Sequence, residues 1–205
     1  MQTFFRFIFL IPLLSIIIPV FCNAQNFEGE IVFIKETKQD TTYYAYKIKG
    51  NKLRIEELDQ KLQLINYMLV DISAKSVIAL NTKRKLYVEI PVRSIESNND
   101  TSNYKVIKTD NYKSIKGFKC YQWRVQNKKE DTEIAFWVSN QNFHNFSDFL
   151  KLLNRDEKSS VYYLQIPDSQ EFFPLLSEER SLLREWRMCL KVVNIEKKTS
   201  FAKSV

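Results

Sequence analysis

The chain has 205 residues, of which 14% are aromatic, with three glycines, five prolines and a formal net charge of +7. Abundant aromatic and β-branched residues with so little glycine exclude a disordered or loop-rich chain and favour regular strands. Lysine and arginine are dispersed along the chain, as on a solvated surface, so nucleic acid is not an expected partner. The alternative is attraction to anionic lipid head groups or acidic glycans, which requires basic residues gathered on one face.

The first 24 residues have the three parts of a secretory signal peptide. Arg6 supplies a positive charge, residues 7–21 are apolar and uncharged, and small residues precede the expected mature start at Gln25. The apolar run is too short and too interrupted by proline for a membrane span. A lipoprotein signal, with Cys22 acylated and retained, is the alternative. We expect an exported protein with no transmembrane segment in the mature chain, located in the periplasm, at the outer membrane or outside the cell.

Residues 25–205 are predicted to form a single domain based on an antiparallel sheet. Side chains on a strand change face at every residue, so alternating apolar and polar residues indicate a half-buried strand. A hairpin of residues 118–125 and 133–138, joined by a charged loop, shows this alternation most clearly. Further strands are predicted over 27–35, 42–48, the region of 53–55, 64–72 (as a central strand), 76–80, 85–90, 104–109, 160–166, 172–176 and 183–195. The polar run 94–103 is predicted to be a surface loop.

Between Asn142 and Asp156 the period changes from two to the three and four of an amphipathic helix, with Asn142 or Asn145 as its cap. The apolar face of this helix should lie against the sheet. Helix formers between Ser177 and Met188 leave a helix open as the alternative for the last strand. The apolar residues of the helix are Phe143, Phe146, Phe149, Leu150, Leu152 and Leu153.

Residues for catalysis are few. His144 is the only histidine, and no serine lies in a nucleophile-elbow context. The sequence contains neither the spacing of His, Cys or carboxylate residues typical of a metal site nor a glycine-rich phosphate-binding loop. Glu56 could meet Glu28 or Glu30 across strands as a glycosidase pair, but charged residues on a solvated strand face are the simpler interpretation. We therefore expect no enzyme, no catalytic residues, no metal and no cofactor.

Cys120 and Cys189 are the two cysteines that follow the signal segment. Export to an oxidising compartment permits a disulfide between them, which would close a loop of about 70 residues and add roughly 4 kcal/mol in the chain-entropy model. The alternative is a pair of unbonded, buried thiols. A redox function is not expected, because a C-x-x-C motif is missing.

Several short motifs resemble an uncharacterised secreted domain family that is common in Bacteroidota. Its fold is thought to be that of the periplasmic lipoprotein carriers LolA and LolB. The resemblance spans Phe27 to about Ile195 and implies a strongly curved, mainly β (α+β) half-barrel, with one or more helices across the concave face. It also implies a role in handling lipid or lipoprotein in the envelope. The motifs are Phe27-x-Gly29-x-Ile31, residues 49–56, Asp71, Arg84 with Tyr87, residues 117–120, and Trp137-Val138.

The high aromatic content suggests a function for such a half-barrel. A concave aromatic face could hold a lipid or a lipoprotein acyl chain beneath a helix that moves away to admit it. We therefore expect a non-enzymatic binding protein of this kind. The alternative is a structural or protein-interaction module of the envelope, with a filled core and no small ligand. The candidate ligand-lining residues are Tyr44, Tyr46, Trp123, Phe136, Phe146 and Phe149.

Overall fold

The structure is a computed structural model that describes residues 26–92, 103–140, 143–153 and 157–197. The predicted signal peptide, Asn142 as a helix cap and nearly all of the predicted loop 94–103 lie outside these residues. No helix in the described ranges is long and apolar enough to cross a membrane.

Within the described residues, eleven strands and two short helices follow one another. Strands precede the helices over β1 (Gly29–Thr37), β2 (Thr41–Lys49), β3 (Lys52–Leu58), β4 (Leu64–Asp71), β5 (Ser76–Asn81), β6 (Leu86–Ile90), β7 (Tyr104–Ile115), β8 (Phe118–Asn127) and β9 (Thr132–Asn140). The chain then forms α1 (Phe146–Leu153), α2 (Lys158–Tyr163), β10 (Phe172–Arg180) and β11 (Trp186–Lys197).

All eleven strands belong to one antiparallel sheet with the order β6-β5-β4-β3-β2-β1-β11-β10-β9-β8-β7. The first and last strands in this order, β6 and β7, are consecutive in sequence, and only residues 93–102 separate Val92 from Asn103. Laid flat, ten strand spacings would measure about 48 Å, whereas this link reaches at most about 40 Å when fully extended. The two edges must therefore approach each other, and the sheet is curved and open. The expected mainly β fold with an antiparallel curved sheet is confirmed.

The predicted strands agree with the structure except at one segment. Residues 160–166, predicted as a strand, form most of α2 and the turn after it. Tyr162 and Tyr163 are adjacent and both buried, which a half-buried strand would not allow. The hydroxyl of Tyr163 donates to the Phe172 carbonyl at 2.7 Å, and Lys35 forms an ion pair with Glu157 at 3.2 Å, just before the helix. These long-range contacts outweigh the strand preference of Val and Tyr.

Three residues of the motifs that carry the resemblance have structural roles: Gly29, Gly50 and Asp71. Gly29 has φ +153°, and a Cβ there would lie 2.0 Å from the carbonyl oxygen of Glu196 on β11. Gly50 has φ +54° in the β2–β3 turn, and its N–H donates to Glu28 Oε1 at 3.0 Å. Asp71 Oδ1 accepts the N–H of Ala74 at 2.9 Å and so holds the β4–β5 turn. The motifs that carry the resemblance thus shape turns and strand crossings.

Both helices pack against the sheet. Every apolar residue of α1 is buried, and α1 lies against β5 whereas α2 lies against β9. Phe146 packs edge-on against Phe173 with ring centroids 4.8 Å apart, and Tyr46 packs against Phe149 at 5.8 Å. The core between sheet and helices is therefore aromatic, as expected from the composition.

Candidate ligand-binding groove

The helices leave almost no free space beneath them. The cavity between α1, α2 and the sheet measures about 50 Å³, room for one or two water molecules. Its lining includes Tyr46, Phe136, Phe146 and Phe149, four of the six candidate ligand-lining residues. In this conformation their rings pack against one another and against neighbouring aromatic side chains. The expected helix-covered ligand cavity is not present as an open space.

Trp123 has a different environment. Its ring lies 4.7 Å from that of Phe172, and Lys108 Nζ lies 4.5 Å from its ring centroid. Lys108 Nζ also donates to the Pro167 carbonyl. Trp123 therefore joins the β7–β8 side of the sheet to the segment after α2.

A larger open groove of about 400 Å³ lies over strands β2 to β6. Small-molecule sites in proteins typically measure about 300–1,000 Å³, so its volume suits a ligand of modest size. Tyr44, one of the six candidates, borders this groove. The lining residues are Tyr44, Ile55, Glu57, Asn66, Tyr67, Met68, Ala79, Leu80, Asn81, Arg84, Leu86 and Val88.

The register of the five strands sorts the side chains on the groove face of the sheet into three transverse rows. Residues of one row lie directly opposite one another on successive strands. The lower row is Ile48, Leu53, Val70, Val77 and Ile90, the middle row is Tyr46, Ile55, Met68, Ala79 and Val88, and the upper row is Tyr44, Glu57, Asn66, Asn81 and Leu86.

These rows differ in burial and polarity. The first four residues of the lower row are buried, and this row belongs to the main core. In the middle row the exposure rises from 2% at Ile55 to 64% at Val88, so apolar side chains become accessible towards the β6 edge. In the upper row Asn81 Nδ2 donates to Asn66 Oδ1 at 2.8 Å, and Asn66 Nδ2 donates to Glu57 at 3.4 Å. The groove thus has an apolar floor and one polar, hydrogen-bonded wall.

Sequence reasoning missed the floor of the groove, because its aliphatic residues resemble ordinary strand residues in sequence. Arg84 and Tyr87 were singled out by the resemblance, and the structure separates them: Arg84 lines the groove, whereas Tyr87 alternates with Leu86 and Val88 and is 73% exposed. Alternation along β6 and along the strands before it shows which side chains share a face. The rows can be derived from it only when the register between the strands is known.

Cys120 and Cys189 are unbonded and buried, so the predicted disulfide is absent. Cys120 lies on β8 and Cys189 on β11, with β9 and β10 between them, and three strand spacings measure about 14 Å. A disulfide needs Cα atoms closer than about 7 Å. Burial raises the pKa of both thiols, which keeps them protonated and poorly reactive.

No group of three or more His, Cys, Asp or Glu side chains that could hold a metal occurs in the part of the chain described. Glu56 is buried, but Lys47 contacts its Oε2 at 2.8 Å and Arg54 its Oε1 at 2.7 Å, so it is engaged in an ion-pair network between β2 and β3. The groove and its rim offer binding chemistry: an apolar floor, amide groups and one guanidinium.

The domain model of the DUF4412 family, described as a domain of unknown function, matches residues 27–204. The chain belongs to the DUF4412 family. No curated protein matches the sequence. The groove strands β2–β6 and both helices all fall within the matched DUF4412 region.

Solved structures resemble this DUF4412 chain in fold. It is similar to a chain of the MucA/MucB complex of Pseudomonas aeruginosa, with 10% identity and a TM-score of 0.54, over 88% of this chain and 55% of the other. This chain thus spans about half the length of the one it matches. That similarity supports the expected LolA-like fold.

Two further structures resemble it more distantly. PNGF-II matches with 9% identity, a TM-score of 0.47, and coverage of 84% and 28% of the two chains. A putative outer membrane lipoprotein-sorting protein domain from Vibrio parahaemolyticus matches with 6% identity, a TM-score of 0.31, and coverage of 85% and 86%.

Proposed function

We propose that this protein is an exported, non-enzymatic binding protein that holds an apolar chain of a lipid or lipoprotein in the open groove. The observation that carries the proposal is the groove itself: about 400 Å³ over β2–β6, with an apolar floor that remains accessible to solvent. Such exposed apolar surface beside a polar rim is a feature of ligand-binding grooves and interaction sites.

The energetics set a minimum chain length. Each buried methylene contributes about 0.8 kcal/mol, and a micromolar Kd needs about 8 kcal/mol, so about ten methylenes must enter the groove before any cost of association. We therefore expect ligands with chains of about twelve carbons or more, and no measurable binding of chains half that length.

The proposed site differs from the space expected under the helix. Tyr44 contributes directly to it, and Tyr46 lies in the middle row one position further in. Phe146 and Phe149 support the floor from beneath α1, where Phe149 contacts Tyr46. If α1 moves away from the sheet, the groove and the small cavity at Tyr46 would join, and this is the role we propose for Phe136, Phe146 and Phe149. Trp123 has no proposed contact with the groove.

The test is native mass spectrometry of the exported protein, purified without detergent, beside its denatured mass. We expect an additional mass that is lost on denaturation and is identified as a lipid or acylated molecule. A bare native mass that stays bare after incubation with envelope lipids would disprove the proposal.

A second candidate is an interaction module of the envelope, favoured by the edge strand β6. Leu86, Tyr87 and Val88 are all well exposed there, and an accessible apolar edge strand can pair with a strand of another protein. MucB, which has a similar fold, has been solved in a complex with MucA. A photo-crosslinker at Tyr87 that repeatedly captures one envelope protein in cells, from a chain that binds no lipid, would establish this candidate over the first.

A further inference from the structure

A basic turn closes the β6 end of the groove. Residues 82–85, Thr-Lys-Arg-Lys, connect β5 to β6, and the three basic side chains are exposed. The turn is held by the groove's own wall: the Arg84 N–H donates to Asn81 Oδ1 at 2.8 Å, and Thr82 Oγ1 donates to the Ile65 carbonyl at 3.0 Å. Lys85 has φ +53°, the left-handed conformation that reverses the chain. The basic residues are thus carried on a backbone of defined shape.

Within the ranges that the structure describes, no carboxylate neutralises the charges of this turn. Lys83, Arg84 and Lys85 make no ion pair with any other residue that the structure describes. This contrasts with Lys47 and Arg54, which both contact Glu56 on the neighbouring strands. A guanidinium that lines an apolar groove without a carboxylate partner is a suitable contact for an anion.

One negative charge in the groove limits where such an anion can lie. Glu57 is in the same upper row as Asn81, two strands away, or about 10 Å. Its carboxylate, bonded to Asn66, repels an anion from the β3 side of the groove. The field along the upper row therefore runs from negative at β3 to positive at the β5–β6 turn.

We propose that the ligand is a single-chain amphiphile with an anionic head group, a fatty carboxylate, whose head group contacts Arg84 and the Lys83–Lys85 turn while its chain lies along the middle row. The volume suits one chain, and Ile55, Met68 and Val88 supply its apolar contacts. This inference rests on the proposed function, because it assigns a head group to the chain that the groove holds. It also gives a local role to part of the positive charge that the sequence spreads over the whole chain.

The experiment compares laurate with dodecanol, two probes of equal chain length that differ in the charged head group, by calorimetric titration of the purified protein at low ionic strength. We expect laurate to bind about tenfold more tightly than dodecanol. The double substitution Lys83→Gln and Arg84→Gln should abolish the preference for the charged head group, so that the ratio of laurate affinity to dodecanol affinity falls from about ten to about one. Glu57→Gln should increase the ratio of laurate affinity to dodecanol affinity.

The matched control is Lys75→Gln with Lys116→Gln, two exposed turn residues at the opposite end of the sheet that also have positive φ. This control removes the same charge and should leave both affinities unchanged. Equal affinity of the wild-type protein for both probes, or an equal effect of the two double variants, would overturn the inference while leaving the proposed function intact. Absence of binding by either probe would overturn both.

Discussion

Met68 on β4 lies directly opposite Ala79 on β5, at the centre of the middle row. A flexible methionine faces the smallest side chain in that row, and the missing volume at Ala79 contributes to the open groove. Ile55 and Val88 flank this pair on the next strands. The depth of the groove therefore depends on a small residue at one register position.

Replacing Ala79 with Phe should block the groove. The larger ring would occupy the space between Met68 and Val88, and because the groove is open to solvent it can enter without displacing the core. We expect ligand binding to fall at least tenfold with a change in unfolding free energy below about 1 kcal/mol, checked by lipid titration and urea unfolding. The control is Leu69→Phe, on the opposite face of β4, which should keep full binding. Full binding by Ala79→Phe would place the ligand elsewhere.

Replacing Phe149 with Ala should destabilise the protein. Phe149 is fully buried and packs against Tyr46 and Phe146, so its removal leaves a cavity, and such changes cost about 3–5 kcal/mol. Urea unfolding measures the loss. Leu183→Ala, at a side chain that is 85% exposed, is the control and should change stability by less than about 0.5 kcal/mol. A small effect at Phe149 would indicate that α1 is not firmly packed on the sheet.

Replacing Gly29 with Ala should be far more costly than replacing Gly50 with Ala. At Gly29 the new Cβ would lie 2.0 Å from the Glu196 carbonyl oxygen, so β1 and β11 must separate locally. At Gly50 a Cβ meets nothing within 4 Å, and only the left-handed backbone is disfavoured, by about 1–2 kcal/mol. We expect a loss of more than 3 kcal/mol for Gly29→Ala by urea unfolding. Equal losses for the two variants would contradict the close approach of β11.

Stability should fall at alkaline pH because of two buried tyrosines. Burial raises the pKa of Tyr162 and Tyr163. The hydroxyl of Tyr162 also donates a hydrogen bond to the Glu130 carboxylate, which raises the pKa of Tyr162 further. An unfolded tyrosine has a pKa of about 10. The folded state therefore retains protons that the unfolded state releases, so this stabilisation is complete below pH 10 and is lost as the pH rises above it.

The measurement is the urea midpoint between pH 8 and 11.5. Tyr162→Phe removes one of the two groups, and its midpoint should decline less steeply above pH 10 than that of the wild-type protein. Tyr112→Phe, at a well-exposed tyrosine, should leave the slope unchanged. A wild-type midpoint that is flat up to pH 11.5 would show that these hydroxyl groups are accessible to water.

Much of the secondary structure could be predicted from sequence because strand alternation is a local property. The strands up to β6 and the β8–β9 hairpin follow directly from it, and α1 follows from its change of period. Residues 160–166 were predicted wrongly because valine and tyrosine favour strands, and Val161 to Tyr163 consist of these two residue types. Their helix is stabilised by contacts outside the helix, with Glu130, 32 residues before Tyr162, and with Phe172 at the start of β10.

The candidate site was only partly predictable. Tyr44 and Tyr46 were identified by alternation, and both lie on the sheet face that bears the groove. The aromatic residues of α1 were also expected at the concave face, but whether their rings leave a cavity depends on packing, and here they leave about 50 Å³. The prediction of a disulfide was wrong for a related reason. Two strands separate β8 from β11, and the strand order cannot be derived from a sequence pattern.

The sequence by itself determined most of the strands, residues 160–166 excepted, and which of their side chains share a face, because those properties repeat every two residues along the chain. Tertiary structure alone decided the strand order, the places where the helices pack, and the position of the groove. Curvature brings β6 and β7 towards each other, and α1 packs against β5 whereas α2 packs against β9. The apolar floor over β3–β6 becomes accessible towards the β6 edge, and its position depends on strand pairing between residues far apart in sequence.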